Sequence, residues 1–217
     1  MNAYFISGLG ADRHAFDRIR LPEGVAVHHL DWLEPLPGES LQTYAQRLAE
    51  PIDRSRPFVL VGLSFGGIVS IEIHRFLPAR KVFLISTVSR RSELPWYFRV
   101  SGKMGLHRLG FTNLIKHSPR MLHWFFGTSR GRLREYLQER IDACSMSYLR
   151  WSLDQITQWG NEQKPEQAVH IHGSADRLFP IQFLRPDYVV EGGSHFMIVT
   201  HGHRVSSILE KELKDLV

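Results

Sequence analysis

A serine between two glycines, in the sequence GLSFG at residues 62–66, is the best candidate for a nucleophile in this chain of 217 residues. The pattern G-x-S-x-G alone arises by chance in about one chain in fifteen of this length. Its surroundings are more informative, because it follows a wholly apolar run at residues 58–61 and precedes a segment with helical spacing. A strand, a sharp turn and a helix in that order hold a serine in a strained conformation with its hydroxyl exposed. We therefore predict that Ser64 is a nucleophile, and that Gly62 and Gly66 are glycines because side chains there would collide.

The other residues that nucleophilic catalysis requires follow later in the chain and in a suitable order. A serine hydroxyl is a poor nucleophile at neutral pH, so it needs a base, and the base needs an acid that orients it. Asp176 follows an apolar run, and His195 lies in the glycine-rich sequence GGSHF after the last such run. These positions predict Asp176 as the orienting acid and His195, among twelve histidines, as the base. Asp187 is the alternative to Asp176, although it lies within or beside the last predicted strand.

Two backbone N–H groups are candidates for stabilising a developing oxyanion. One donor is expected from Phe65, the residue after the nucleophile, where the N-terminus of a helix also offers a positive dipole end. The second is expected from Leu9 in the glycine-rich turn SGLG at residues 7–10, which follows the first apolar run. Gly8 and Gly10 are also consistent with simple turn chemistry, and the two interpretations are compatible.

Six apolar runs alternate with helical patterns and indicate the elements that carry these residues. They predict strands at residues 4–6, 25–30, 58–61, 82–85, 169–172 and 188–190, and helices at 41–52, 68–76 and about 201–216. Strands separated by helices predict an α/β fold with a mostly parallel sheet of about six strands flanked by helices. Because ligands of such sheets bind at the carboxyl ends of the strands, Ser64, Asp176 and His195 are expected to meet there.

Residues 90–160 differ from the rest, since they contain no convincing strand and carry much of the positive charge. The segment has twelve Lys and Arg and five Asp and Glu, a net charge of +7, whereas the whole chain carries +5. We predict a helical insertion at 90–160 within a core formed by 1–89 and 161–217. Helical spacing occurs at Leu114, Ile115, Leu122, Phe125, Leu133, Leu137, Ile141, Met146, Leu149, Leu153 and Ile156. The charge is consistent with a solvated outer face, or with attraction of an anionic substrate or an anionic membrane surface.

These motifs resemble those of the α/β-hydrolase superfamily over the whole chain outside the helical segment. The resemblance rests on the turn at residues 7–10, GLSFGG at 62–67, HGSAD at 172–176 and GSHF at 193–196. It implies Ser64 as nucleophile, Asp176 as acid, His195 as base and residues 90–160 as a cap over the site. The chain departs from the family in two ways. It starts at the strand before the oxyanion turn, so that the family's first two strands are expected to be lacking, and it has Ser7 where members often carry histidine.

The expected activity is hydrolysis of a small carboxylic ester through an acyl-enzyme, without a cofactor or a metal. The same three residues would also serve a thioesterase, an acyltransferase or a C–C hydrolase, and a non-catalytic ligand-binding protein is the alternative outside enzymes. Phe179, Phe196 and Trp124 are candidate residues of the substrate pocket. The sequence has no His/Cys or His/Glu spacing typical of a metal site, and neither G-x-G-x-x-G nor a P-loop, so no nucleotide cofactor is expected.

The composition sets the remaining expectations. The single cysteine, Cys144, excludes an intramolecular disulfide. The sequence shows neither a signal peptide nor an apolar run of about 18 residues that could span a membrane. We therefore expect a cytoplasmic protein without stable membrane insertion and without a nucleic-acid partner, acting on a small-molecule ester that is neutral or anionic.

Overall fold

A parallel sheet forms the centre of the molecule, whose computed structural model describes residues 1–103, 105, 118–128 and 131–216. The strands are β1 (Asn2–Ile6), β2 (Ala26–His29), β3 (Phe58–Leu63), β4 (Val82–Ile85), β5 (Ala168–Gly173) and β6 (Tyr188–Val190). The helices are α1 (Leu41–Leu48), α2 (Phe65–Phe76), α3 (Trp96–Lys103), α4 (Pro119–Phe126), α5 (Arg132–Ala143), α6 (Met146–Gln158), α7 (Met197–Thr200) and α8 (Gly202–Leu213). Within the described residues the six strands form one sheet in the order β2-β1-β3-β4-β5-β6, and every neighbouring pair is parallel. The predicted α/β fold with a parallel sheet of about six strands is confirmed.

Apolar side chains cover both faces of the central strands. The continuous apolar sequence of these strands predicts this, because strands of that kind are buried on both faces. On one face, Tyr4 and Leu60 belong to the core beneath α1 and α2. On the other face, Phe5 and Val61 belong to the core beneath α8. Because neighbouring residues such as Tyr4 and Phe5 enter different cores, a slip of one residue would exchange the two faces, and this fixes the register of the sheet.

Four helices, α3 to α6, lie between β4 and β5 in the part of the chain that the structure describes. They form the predicted helical insertion and are called the cap helices below. The apolar positions that predicted them include Leu137 and Leu149, which are buried. Leu114 and Ile115, which the spacing also placed in a helix, lie outside the described residues.

Two tryptophans attach the end of the cap to the core. The indole N–H of Trp151 in α6 donates to the carbonyl of Glu39 at 2.8 Å. The indole N–H of Trp159, just beyond α6, donates to Oε1 of Glu72 at 2.8 Å. Among the described residues, no helix combines the length and apolar character needed to cross a membrane.

The order of the strands creates a crevice at the carboxyl ends of β1 and β3. The chain passes from β1 to β2 at one edge and then returns to β3 on the other side of β1. The loops that leave β1 and β3 therefore diverge, and such a point is the usual ligand site of an open parallel sheet. The turn at residues 7–10 follows β1 at this crevice, and Ser64 follows β3 beside it.

Helix α2 begins at Phe65, where the strand–turn–helix motif predicted its N-terminus. Its first turn contains Gly66 and Gly67, so the apolar periodicity starts only at Ile68. One helix boundary differs from the prediction. Helix α1 ends at Leu48 rather than at residue 52. The reason is Pro51, which has no N–H for a helical hydrogen bond and disfavours helical backbone at the residue before it.

Candidate active site

The backbone of Ser64 adopts a conformation that is unusual for a residue with a side chain. Its φ of 52° and ψ of −119° lie outside the helical and extended regions, and such strain costs about 1–3 kcal/mol. The Ser64 N–H donates to the carbonyl of Ile85 at 2.8 Å, which fixes the turn to the end of β4. A Cβ atom at Gly62 would lie 2.4 Å from the carbonyl oxygen of Gly66, so the turn requires glycine there.

Three predicted residues come together above the carboxyl edge of the sheet. His195 Nε2 lies 2.9 Å from the hydroxyl of Ser64, and His195 Nδ1 lies 2.8 Å from Oδ2 of Asp176. Because a carboxylate only accepts hydrogen bonds, the proton of the neutral imidazole lies on Nδ1 and leaves Nε2 free to accept from the hydroxyl. The ring of His195 is 1% exposed and lies against the rings of Phe126 and Phe179, at centroid distances of 5.1 and 5.5 Å.

Asp176 is buried, and hydrogen-bond donors surround its carboxylate. Oδ1 accepts from the backbone N–H groups of Leu178 and Phe179 at 2.8 and 2.9 Å. Oδ2, in addition to His195, lies 3.3 Å from Nε2 of His172. Burial alone would raise the pKa of Asp176, but attraction to the imidazolium form of His195 and the hydrogen bonds from His172 and His195 outweigh it and hold this pKa far below its usual value. The carboxylate is therefore ionised and can stabilise a positive charge on His195.

The backbone N–H groups of Leu9 and Phe65 have no acceptor among the described residues. A trans peptide directs its N–H opposite to its carbonyl, so the bonds to the preceding carbonyl decide where each N–H points. The Gly8 carbonyl accepts from the indole N–H of Trp32 at 3.2 Å and from the backbone of Ala11 at 3.0 Å. The N–H of Leu9 is thereby directed away from both donors and is left for a ligand.

The same arrangement fixes the second N–H. The Ser64 carbonyl accepts from the hydroxyl of Thr87 at 2.7 Å and from the N–H of Gly67 at 2.9 Å. These two bonds orient the peptide that carries the Phe65 N–H. The Thr87 carbonyl in turn accepts from Nε2 of His170 at 2.9 Å, so a chain of buried hydrogen bonds runs from β5 to the nucleophile turn.

An apolar cavity of about 110 Å³ opens beside Ser64. Ser64 is the one polar residue in its described lining. The other lining residues come from the turn after β1, the cap helices and the loop after β5; they are Leu9, Phe98, Met121, Leu122, Phe125, Phe126, Ile141, Leu149, Leu153, Ile156, Leu178 and Phe179. The cavity therefore fits an uncharged, apolar group attached to whatever Ser64 contacts.

The three residues that the sequence assigned to the substrate pocket lie in different places, and two of the assignments are corrected. Phe179 lines the cavity. Phe196 is 2% exposed in the core on the α8 side, because the turn that brings His195 to Ser64 directs the next side chain into the sheet. Trp124 is 54% exposed, since its position on α4 faces away from the cavity, and the guanidinium of Arg177 lies over its ring. The pocket is therefore formed by apolar side chains of the cap and of the loops after β1 and β5 rather than by these two aromatics.

Three residues of the site were not found from the sequence: Trp32, Thr87 and His172. His172 was treated as an ordinary strand residue, although it precedes Asp176 by four positions at the end of β5. Asp187, the alternative acid, accepts from the N–H of His170 and binds Lys164, so it serves the edge of the sheet. The described residues contain no cluster of His, Cys, Asp and Glu that could hold a metal ion.

A family model of the alpha/beta hydrolase family matches residues 3–208. The chain belongs to the α/β-hydrolase family. Both the order of Ser64, Asp176 and His195 and their positions after β3, β5 and β6 fit the arrangement typical of that fold. No curated protein is detectably similar in sequence to this α/β-hydrolase.

Solved structures share the fold at low identity. An esterase from Thermogutta terrifontis with malate bound is 14% identical at a TM-score of 0.75, over 99% of this α/β-hydrolase and 90% of the esterase. The putative non-heme bromoperoxidase BpoC from Mycobacterium tuberculosis H37Rv is 18% identical at a TM-score of 0.69, over 100% and 92% of the two chains. A membrane phospholipase A described as a bacterial virulence factor is 22% identical at a TM-score of 0.70, over 99% and 78%.

Replacing His170 is expected to change how stability depends on pH. Burial, together with the neighbouring His172, lowers the pKa of His170 to about 3, whereas an unfolded histidine titrates near 6.5. As the pH falls below 6.5, the unfolded chain gains a proton that the folded chain does not, so the wild type loses stability. Between pH 7.5 and 4.5 this loss amounts to about 2–3 kcal/mol. His170→Gln, followed by urea unfolding across this range, should flatten the curve by that amount.

His203→Gln is the matched control, because His203 is exposed on α8. Its curve should run parallel to that of the wild type. Parallel curves for His170→Gln and wild type would contradict a neutral, buried His170.

Proposed function

We propose that this α/β-hydrolase cleaves carboxylic esters with an apolar acyl group through an acyl-enzyme on Ser64. The observation that carries the proposal is the continuous set of hydrogen bonds from Asp176 through His195 to Ser64, whose hydroxyl borders an apolar cavity. Esterases and a phospholipase share this fold, which supports the reaction class by analogy. A protein that only binds a ligand has no need of an oriented base and a buried carboxylate behind its serine.

In the first half-reaction, Ser64 Oγ attacks the ester carbonyl while its proton passes to His195 Nε2. Asp176 holds the Nδ1 proton of His195 and stabilises the imidazolium. The N–H groups of Leu9 and Phe65 donate to the oxyanion. As the C–O bond to the alcohol breaks, the alcohol oxygen takes the proton from Nε2 and leaves an acyl ester on Ser64.

Water completes the cycle with the same groups. His195 Nε2 removes a proton from water as its oxygen attacks the acyl-enzyme carbonyl, and the oxyanion again lies against Leu9 and Phe65. The C–O bond to Ser64 then breaks, and Ser64 Oγ takes the proton back from His195. The products are a carboxylic acid and the free enzyme, so no cofactor is required.

The acyl group occupies the apolar cavity in this proposal. Its described lining has no charged side chain, so an ionised group on the acyl chain would be buried without a partner. Any anionic part of the substrate therefore belongs to the alcohol side. The two backbone N–H groups and the residues Ser64, His195 and Asp176 are equally suited to thioesters. The leaving group is therefore identified by the experiment below.

A fluorophosphonate probe tests the nucleophile. Wild-type protein should be labelled at Ser64, because an oriented His195 makes this hydroxyl reactive, and Ser64→Ala should not be labelled. The measurement is intact-protein mass spectrometry with peptide mapping.

Ser86→Ala provides a matched control, since Ser86 also has a positive φ, of 48°, and follows β4, but is fully buried. It should be labelled like the wild type. A folded wild-type protein that resists the probe would exclude the proposed hydrolase.

Acyl chain length tests the cavity. From acetate to hexanoate, kcat/KM for p-nitrophenyl esters should rise about threefold to fourfold for each methylene, as each added group leaves water. Leu153→Trp fills part of the cavity and should shift the preference to shorter chains, whereas the exposed Leu36→Trp should not. A flat profile in the wild type would show that the acyl group binds elsewhere. The matching thioesters, measured in parallel, identify the preferred leaving group.

Thr87→Val tests the peptide that carries the Phe65 N–H. The exchange keeps the shape of the side chain but removes the donor to the Ser64 carbonyl, so the N–H is held less firmly against the oxyanion. We expect kcat to fall about tenfold with KM within about twofold, because the interaction acts on the transition state.

Thr157→Val makes the same exchange at a buried threonine of α6 whose hydroxyl donates to the Leu153 carbonyl. Both variants should lose about 1 kcal/mol of unfolding free energy, yet kcat should fall only in Thr87→Val. An equal fall in kcat in both variants would show that Thr87 stabilises the fold without positioning the Phe65 N–H.

A further inference from the structure

Exposed apolar side chains are concentrated on two of the cap helices. Four of the eight exposed large hydrophobic side chains of the described chain lie on α3 and α4. Trp96 and Trp124 are 60% and 54% exposed, and Tyr97 and Val100 accompany Trp96 on one side of α3. Tryptophan is the side chain with the largest apolar surface, so its exposure at one site on each of two cap helices is costly in water.

The same part of the chain has a one-sided charge. From residue 94 to residue 134 the sequence has eight Lys and Arg and no Asp or Glu. Among the described residues, Arg120 of α4 and Arg177, whose guanidinium lies over Trp124, are exposed. Exposed aromatic side chains and positive charges therefore occur together in a segment whose sequence has no acidic residue.

The two helices that carry these side chains also line the apolar cavity. Phe98 of α3 and Phe125 of α4 line it, while Trp96 and Trp124 on the same helices are exposed. Both helices contact the loop after β5, since the ring of Phe98 lies 6.0 Å from that of Phe179 and the guanidinium of Arg177 lies over Trp124. Burial and the nearby carboxylate of Asp176 raise the pKa of Tyr97, which is consistent with α3 lying close to the catalytic groups. We call Trp96, Tyr97, Val100 and Trp124, with Arg120 and Arg177, the cap surface.

We propose that the cap surface binds the surface of an anionic lipid assembly. Tryptophan and tyrosine have an apolar body and a polar tip and favour the boundary between lipid headgroups and acyl chains. Arginine beside them is attracted to anionic headgroups, and each such charge strengthens partition about fivefold. A nucleic acid would use the charges and stack its bases on the tryptophans, but it would gain little from the exposed Val100, and an acidic protein would not require two separate tryptophans. Charge complementarity and apolar exposure together favour lipid.

Binding at this surface also defines a substrate class. Because α3 and α4 also line the cavity, an ester whose acyl chain is embedded in the lipid would lie close to the cavity. The substrate would then be an amphiphilic acyl ester with an anionic or zwitterionic alcohol part, which agrees with the uncharged lining of the cavity. This second step rests on the hydrolase function proposed above, whereas binding to the lipid surface does not.

Vesicle sedimentation with the Ser64→Ala protein tests binding separately from turnover. The probes are unilamellar vesicles of phosphatidylcholine alone, or of phosphatidylcholine with phosphatidylglycerol at about 30%. Partition into anionic vesicles should exceed partition into neutral ones at least about tenfold, and should fall steeply when salt is raised, since salt screens the attraction. In this background, Trp96→Ser should weaken partition about tenfold and Arg120→Gln about fivefold.

Matched controls lie outside the cap. Leu36→Ser removes a side chain that is 54% exposed, and Arg56→Gln removes an exposed charge before β3. Both should leave partition within about twofold of the parent. Equal partition into neutral and anionic vesicles, or equal losses in the controls and the cap variants, would overturn the proposal. Binding to polyglutamate without binding to vesicles would also overturn it, in favour of an acidic polypeptide.

Turnover distinguishes the two proposals. With Ser64 intact, Trp96→Ser should hydrolyse a soluble short-chain ester within about twofold of the wild type, but should lose about tenfold on the same acyl group presented in anionic vesicles. If vesicle binding occurs without any hydrolysis, the lipid surface stands and the hydrolase function fails. If the esters are hydrolysed but the vesicles are not bound, the hydrolase function stands and the proposed lipid-binding surface fails.

Discussion

The positive φ at Ser64 is the constraint on which the surrounding structure depends. A residue with a side chain pays about 1–3 kcal/mol for such a backbone, so its neighbours must hold it. Both polar groups of its backbone are bonded, the N–H to Ile85 and the carbonyl to Thr87 and Gly67. The glycine at position 66 is needed as well, because a Cβ there would lie 2.2 Å from the carbonyl oxygen of Ile6. One strained residue thereby fixes two directions at once, that of its hydroxyl and that of the next N–H.

The electrostatics of the site depend on which buried groups are charged and which are neutral. A buried carboxylate is costly unless donors surround it, and Asp176 has donors on both oxygens. Two further histidines lie beneath it in β5, and each has Nε2 beside a carbonyl oxygen, His170 beside Thr87 and His172 beside Phe179. A carbonyl oxygen only accepts, so both rings carry their proton on Nε2. Burial holds His170 neutral. The shorter of the two histidine contacts of Asp176 is the 2.8 Å bond to Nδ1 of His195, where positive charge develops in the proposed reaction.

The sequence was sufficient to predict features that depend on residues adjacent in the chain. β4 and β6 have the predicted bounds, since continuous apolar runs that end at polar or glycine-rich turns leave little freedom. Ser64, Asp176 and His195 could be chosen because each lies within about five residues of the end of a strand, and parallel strands bring their carboxyl ends to one edge. Trp32 and Thr87 could not be found in this way. Their roles depend on which carbonyl oxygen their side chains reach, and that is decided by the packing of β1, β3 and β4 rather than by any local pattern.

The cap shows why specificity is harder to derive than chemistry. Helical periodicity identifies a buried face only when the opposite face is polar, and α3 and α4 have aromatic side chains on both sides. Phe98 and Phe125 face the cavity, whereas Trp96 and Trp124 face outward, and composition alone does not separate the two pairs. Trp124 was assigned to the pocket for this reason. A helix that is apolar on both sides is most stable when both sides leave water, and in this α/β-hydrolase the described residues supply an apolar environment for one of them. The outer side stays exposed among the described residues, so contact with an apolar surface would stabilise it.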